Sequence, residues 1–308
     1  MSGILQPFFM YTNDGGVAGA TYGLFGGGEN SGGALVNTTQ KYKYLSNIVS
    51  SGTVLGLARR FLAATGNSTV GIFGGGWNPF SGTTYTDKYT YSGDTRVAGT
   101  VLGLARYGLA ATGNSTVGIF GGGWRGLDIP STADNYTDKY TYSGDTRVPG
   151  TVLGLARYLL AATGNSTVGI FGGGYTGSGT TTYTDKYTYS GDTVVAGTLL
   201  GSFRRSLAAT GNSTVGIFGG GFSTTNYTNK YTYSGDTRVP GTRLGLARYD
   251  LAATGNSTVG IFGGGYNIGT VSNYTDKYTY SGDTVAAGTV LSTALHSLAA
   301  CSATANGL

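Results

Sequence analysis

Three observations predict an all-β chain folded as a six-bladed β-propeller of four-stranded antiparallel blades. First, the block GNSTVGIFGGG occurs five times, beginning at Gly66, Gly113, Gly164, Gly211 and Gly255, and a diverged copy, TYGLFGGG, begins at Thr21. The Gly triplets are spaced 48, 47, 51, 47 and 44 residues apart, a period at which each unit is too small to bury its own apolar face and must stack on a neighbour. Second, each period has room for four short strands, and no segment carries a helical periodicity. Third, the ends are complementary. The first unit begins at its second strand, around residues 20–25, and the chain closes on a segment, 298–302, that matches a first strand. The last strand is therefore expected to complete the first blade and remove two exposed sheet edges.

The elements of one repeat follow from their residues. Strand a, LAAT at 62–65, has the small side chains suited to the crowded axis where blades converge. The TGN that follows supplies a turn, because Gly66 and Asn67 tolerate positive φ. Strand b, 68–73, alternates β-branched residues and is stopped by Gly74, Gly75 and Gly76. Strand c, 85–92, has period two, with Tyr85, Asp87, Tyr89 and Tyr91 on one face. SGD at 92–94 turns the chain into strand d, from about Thr95 to Val101. The tyrosine that opens strand c lies 36 residues before the next Gly triplet in four repeats, so all length variation falls between strands b and c. The scaffold is constant and one loop varies.

At this point the residues resemble the kelch repeat: an Arg entering strand a (Arg59, Arg106, Arg157, Arg204, Arg248), an apolar strand ending in glycines (GIFGGG), and a tyrosine strand (KYTY). The resemblance covers about 290 residues. The family's Trp after strand c is missing, with Val97 and its equivalents nearby, and the sixth unit has Leu295 where Arg is expected. Near-identical Gly/Thr/Tyr-rich copies such as KYTYSGDTRVAGTVLGLAR also look like repeat proteins of cyanobacterial phages. That likeness implies a virion or tail component and a virion localisation.

The residue inventory argues against catalysis and against a bound cofactor or metal. His296, Glu29 and Cys301 are each the only residue of their kind. A Ser-His-Asp or Cys-His centre would have to use His296, which reads as a surface or loop histidine in the least regular repeat. A zinc site needs several His or Cys ligands. Carboxylates such as Asp87 and Asp94 recur in nearly every repeat, which marks scaffold, since a catalytic pair is needed once. The five repeated arginines read as a structural ring, each paired with an Asp such as Asp87 or with backbone carbonyls between blades, in preference to an anion-binding ring.

A net charge of +5, spread evenly over the repeats, does not make the dense basic stripe of a nucleic-acid surface. No apolar run reaches the length of a membrane span. The opening MSGILQPFFMYTNDGG lacks a basic n-region and a cleavage site, so residues 1–17 read as a docking segment, with Ile4, Leu5, Phe8 and Phe9 as its virion-anchoring residues and 18–308 as the propeller.

Function is expected on the variable face. In a four-stranded meander the b–c and d–a connections emerge together. The b–c loops span 29–38, 77–84, 124–135, 175–182, 222–226 and 266–273, and five of the six open on an aromatic residue: Trp77, Trp124, Tyr175, Phe222 and Tyr266. Arg125 follows the second of these. Beside them, directly after the repeated Arg, stand changing pairs that supply Phe61, Tyr107, Tyr158, Arg205 and Tyr249. Exposed Trp, Tyr and Arg are favoured interface anchors. The expected role is a non-enzymatic virion structural protein (tail fibre, appendage or decoration), a homo-oligomer in the assembly. It would bind neighbouring virion proteins, or a glycan or protein of a host surface. The alternatives are a cellular kelch-type interaction scaffold and a lectin-like, glycan-binding propeller.

Overall fold

A computed structural model describes residues 22–126, 132–222 and 225–302. The expected docking segment, with Ile4, Leu5, Phe8 and Phe9, lies outside the described residues. Among the described residues every regular element is a strand, and six four-stranded antiparallel sheets carry the fold. We number them as blades and letter the strands a to d from the axis outward. Blade 1 is Ala299–Ser302, Tyr22–Gly26, Thr39–Lys43 and Ile48–Gly52. Blade 2 is Ala63–Gly66, Val70–Gly74, Thr86–Thr90 and Thr95–Ala98. Blade 3 is Ala110–Gly113, Val117–Gly121, Thr137–Thr141 and Thr146–Gly150. Blade 4 is Ala161–Gly164, Val168–Gly172, Thr184–Thr188 and Thr193–Ala196. Blade 5 is Ala208–Gly211, Val215–Gly219, Thr228–Thr232 and Thr237–Gly241. Blade 6 is Ala252–Gly255, Val259–Gly263, Thr275–Thr279 and Thr284–Ala287.

The chain closes its ring as the sequence predicts. The C-terminal strand Ala299–Ser302 pairs with Tyr22–Gly26, in the register Gly23 to Ser302 and Gly26 to Ala299. All six a strands then touch their neighbours around the axis, which leaves no open edge at the centre. The strands run shorter than their sequence patterns: strand a starts at Ala63 and strand c at Thr86, so Tyr85 sits outside the sheet with the Arg59 guanidinium over its ring.

Packing between blades is uniform. Ala63, Val70 and Ile72 of blade 2 meet Leu102, Leu109, Phe120, Tyr140 and Tyr142 of blade 3, and the same set recurs around the ring. Each fully buried Ile or Phe of strand b contributes about 1.5–3 kcal/mol through burial. A polar latch sits inside this apolar layer. Thr65 of blade 2 bonds the Tyr142 hydroxyl of blade 3 at 3.0 Å, and Thr112–Tyr189, Thr163–Tyr233, Thr210–Tyr280 and Thr254–Tyr44 repeat it. The sixth latch, at the closing strand, is Tyr91 donating to Cys301 Sγ at 3.3 Å. Burial pushes that thiol up to about 12, which disfavours its thiolate. The latch explains the glycine inside strand b: a Cβ on Gly118 would stand 2.4 Å from Thr65 Cγ2 and 2.8 Å from the Tyr142 hydroxyl.

The a–b turns carry a second set of ties. Asn67 Oδ1 accepts the N–H groups of Thr69 and Val70, while its Nδ2 donates across to Ser115 O of the next blade at 3.0 Å. The c–d turn aspartates adopt left-handed backbone, as at Asp145 (φ 48°), whose carboxylate and carbonyl accept the N–H and hydroxyl of Thr100 in the preceding linker. The repeated carboxylates are thus tied into the scaffold.

Candidate binding face

The variable face starts from the repeated arginine. Arg59 is fully buried: Nη1 donates to Asp87 Oδ2 at 2.7 Å, Nε to Gly75 O at 2.8 Å and Nη2 to Phe73 O at 3.1 Å. Asp87 Oδ1 in turn accepts Gly56 N–H at 2.7 Å, which anchors the incoming linker. The same pair recurs as Arg106–Asp138, Arg157–Asp185 and Arg248–Asp276. The partners sit at the entry of strand a and the start of strand c of one blade, so the contact expected between blades is made within a blade. Burial lowers the pKa of each of these arginines, against the pull of its aspartate. Buried guanidiniums of this kind do not present an anion-binding ring to the axis.

Anchoring the arginine aims the two residues behind it. The first of them pairs, strand-like, with the residue that opens the b–c loop of the same blade: Arg60 with Trp77, Tyr107 with Trp124, Tyr158 with Tyr175 and Tyr249 with Tyr266. Phe222 N–H donates to Arg205 O at 2.8 Å in the same way, and Glu29 pairs with His296. Sequence positions chosen separately are therefore neighbours, and together they form a collar of planar groups. Trp77 meets Tyr107 with centroids 5.0 Å apart, Trp124 meets Tyr158 at 4.8 Å, and Tyr158 meets Tyr175 at 5.6 Å. Arg205 bridges Tyr175 and Phe222, 4.9 and 3.9 Å from their centroids. Phe222–Tyr249, Tyr249–Tyr266 and Tyr266–His296 continue it, and the Glu29–Arg60 ion pair lies between His296 and Trp77. Most of these side chains are half-buried, because they pack on one another and leave their rims to solvent. Arg125, which follows Trp124, is exposed and paired with Asp134.

The second residue behind each arginine forms an inner ring. Phe61, Gly108, Leu159, Ser206, Asp250 and Ser297 all have φ between 54° and 63°. Their backbones make a closed cycle: each N–H donates to the preceding member's carbonyl, at 2.6–2.8 Å, from Ser297 around to Phe61 and back to Ser297. Five non-glycine residues in left-handed backbone are costly, and the six hydrogen bonds hold them there. Phe61, predicted as a loop contact, belongs to this inner ring. Below it the six leucines that precede the a strands close a cavity of about 70 Å³.

Asp250 is the one acid in this ring. Burial pushes its carboxyl up to about 6, while hydrogen bonds from Ser206 and Ser297 and the charges of Arg60 and Arg205 pull the other way. His296 shares the spot: Nδ1 lies 2.9 Å from Ser297 Oγ, Nε2 lies 3.9 Å from Glu29, and burial lowers its pKa. The histidine expected to be a plain loop residue is instead half-buried in the collar, on a two-residue strand, Leu295–His296, paired with Glu29–Asn30. From sequence, Ser206, Asp250 and Ser297 stand only as second members of the changing pairs, and Glu29 as the opening residue of the first b–c loop. The usable signal was that the second member of each changing pair occupies one repeat position. Outside the collar, a cavity of about 510 Å³ opens between blades 1 and 2, lined by Glu29, Leu35, Leu57, Arg60, Trp77 and Pro79.

No protein-family model matches the chain, and no curated protein does. Among solved structures it is similar to that of YjhT, with a TM-score of 0.70 over 89% of this chain and 98% of that one, at 10% identity. A likeness at that identity carries the six-bladed propeller fold and nothing of function.

Proposed function

We propose that this chain is a non-enzymatic binding protein that presents the collar face to a partner. In the finer reading it is a kelch-like structural component of a phage virion, a tail fibre, appendage or decoration, that contacts a host surface or neighbouring virion proteins. One observation carries the binding reading. In repeats otherwise copied closely, the b–c loops and the pairs behind the repeated arginine vary most, and the fold gathers them around one mouth, as aromatic and charged rims on a rigid ring. Rigid aromatic anchors lose little side-chain entropy on binding and supply large contact area.

The order of the polar groups supports a role without catalysis. A hydrolytic triad places the imidazole between hydroxyl and carboxylate, whereas here Ser297 lies between His296 and Asp250. A lectin-like role is favoured by one feature, the ring rims themselves, since planar aromatic faces suit sugar rings.

The test is the triple variant Trp77→Ala, Trp124→Ala and Tyr175→Ala, assayed for capture of partners from the source material. Loss of capture with an unchanged melting curve is the expected result. Full retention of every interaction would sink the binding reading.

A further inference from the structure

Blade 5 breaks the repeat's electrostatic rule. In blades 2, 3, 4 and 6 a buried arginine meets a buried aspartate. Blade 1 has lost both: Leu295 replaces the arginine, and Gln40 replaces the aspartate and accepts from Ser292 Oγ at 2.8 Å and Thr293 N–H at 3.2 Å. Blade 5 keeps Arg204, which is 2% exposed, but carries Asn229 in the aspartate position. Asn229 Oδ1 still accepts Gly201 N–H at 2.8 Å, so the linker contact survives without the charge. The Nη2 of Arg204, the atom that reaches Asp138 and Asp276 from its counterparts, has no hydrogen-bond partner among the described residues.

A second cation compounds this. In blades 2 and 3 a strand-d arginine, Arg96 or Arg147, shares the same carboxylate at 3.5 Å. Its counterpart Arg238 lies against Gly201, and among the described residues it makes no ion pair with an acid. Burial and Arg238 together lower Arg204 to about 10. Removing one partner of a buried pair leaves an uncompensated charge, which is strongly unfavourable unless something else supplies the counter-charge.

A cavity of about 350 Å³ adjoins this spot, lined by Ser202, Phe203, Arg204, Phe222, Tyr227 and Arg243 among others, with no acid among its described lining residues. Its walls are further departures from the repeat. Phe203 stands where Ala58, Ala105, Ala156, Ala247 and Ala294 stand elsewhere, and Ser202 where most repeats have leucine. Arg243 replaces the aliphatic residue found as Val54, Val101, Val152, Leu199 and Val290. Phe203, Phe222 and Tyr227 are 70%, 43% and 46% exposed, and Arg243 lies over the Tyr227 ring at 4.3 Å. Drift would scatter such changes around the ring, whereas here they converge on one cavity beside one missing carboxylate.

We infer that blade 5 carries an anion site, taking a carboxylate borne on a planar or apolar body. Arg243 meets the carboxylate at the rim, Arg204 and Arg238 attract it through the field of their unneutralised charge, and the aromatic walls hold the body. A cavity of this volume is in the range that encloses small organic ligands, about 300–1,000 Å³. The site shares the collar's face but does not rest on the collar binding anything.

The test titrates the full chain by calorimetry with benzoate, with its neutral counterpart benzamide, and with a short blocked peptide carrying Asp beside Phe. Benzoate represents a free ligand and the peptide a partner's acidic side chain; the tighter of the two names the source. Saturable carboxylate binding that weakens with salt is expected, with benzamide about tenfold weaker or worse. Asn229→Asp supplies the missing charge from within. It is expected to raise the melting temperature and to weaken carboxylate binding by about tenfold, while Arg243→Val, on an exposed side chain, weakens it by about fivefold. Absence of saturation by about 20 mM for both carboxylates, equal binding of benzamide, or an Asn229→Asp affinity unchanged from wild type would each overturn the inference. The triple collar variant should bind benzoate normally, so failure of the collar reading and of this one are separable.

Discussion

The two ends of the axial channel are built by different rules. At one end two devices recur: in blades 2 to 5 an asparagine turn that reaches across to the next blade, as Asn67 does to Ser115 O, and in blades 2 to 6 an aspartate turn that holds the preceding linker, as Asp145 does with Thr100, with Asn47 in that place in blade 1. Small residues line the channel there, among them Ala64, Ala111, Ala162, Ala209, Ala253 and Ala300. At the other end the six equivalent positions hold Phe61, Gly108, Leu159, Ser206, Asp250 and Ser297, and their backbones, not their side chains, make the ring. The difference shows how the ring can be both closed and variable. Side-chain hydrogen bonds that repeat from blade to blade are concentrated in the core and at the uniform end, while the collar adds contacts between blades that differ around the ring. At the variable end order comes from backbone hydrogen bonds and buried arginines, which do not depend on the side chains that change.

The sharpest way to break that division is to open the ring. Deleting residues 297–308 removes the closing strand, the Cys301 latch and one member of the backbone cycle. A large fall in melting temperature and loss of a single cooperative transition are expected in thermal denaturation, because repeat arrays unzip from an uncapped end. An unchanged melting curve would mean that closure contributes nothing.

Next in size is the arginine that anchors the variable end. Arg106→Leu leaves buried Asp138 with only Arg147, at 3.5 Å, as a counter-charge, and should cost about 3 kcal/mol in chemical denaturation, the low end for a broken buried pair. Adding Asp138→Gln transplants the Leu–Gln combination of blade 1, and the double variant should recover much of the loss. Arg204→Leu, where there is no carboxylate to strand, should cost far less than Arg106→Leu. Equal costs at the two sites would erase the distinction between blade 5 and its neighbours.

The smallest effect concerns Asp250. Its folded pKa of about 6 lies above the ordinary carboxyl value, so the folded state holds its proton longer than the unfolded state. Stability from this group is present at pH 4 and is lost as pH rises towards 6. His296, Arg60, Arg205 and Glu29 also face this region, and the lowered His296 pKa slopes the opposite way, so the comparison must be with a variant. A shift of two units would be about 3 kcal/mol, and partial solvent contact reduces it to about 1–2 kcal/mol. Asp250→Asn should therefore be more stable than wild type by that amount at pH 7.5 and equal to it near pH 4. A constant difference across that range would rule out the raised carboxyl.

Much of this molecule was legible in the sequence because the repeat says the same thing five times. The Gly triplets, the constant 36-residue spacing and the LAACS segment at the end each predict an element that the structure contains. That the b–c loops and the changing pairs share one face followed from strand connectivity, whereas the pairing of Arg60 with Trp77 and its equivalents came only with the structure. The backbone cycle was not legible, since hydrogen bonds between main-chain groups of six blades leave no mark on side-chain identity. Nor was the grouping of Asp250, Ser297 and His296, which depends on the ring bringing blade 6 against blade 1. The blade 5 departure lay in plain view as Asn229, but an Asp-to-Asn change means little until the structure shows a buried arginine opposite it.

The proposal that the collar face is the contact surface is open to direct observation. Electron cryo-microscopy of the protein in its native source material tests it most directly. The predicted result is a propeller seated in an assembly with density against Trp77, Trp124 and Tyr175, and with the asparagine turns of the opposite end uncovered. A reconstruction in which the asparagine-turn end is buried and the collar faces solvent with nothing bound would contradict it.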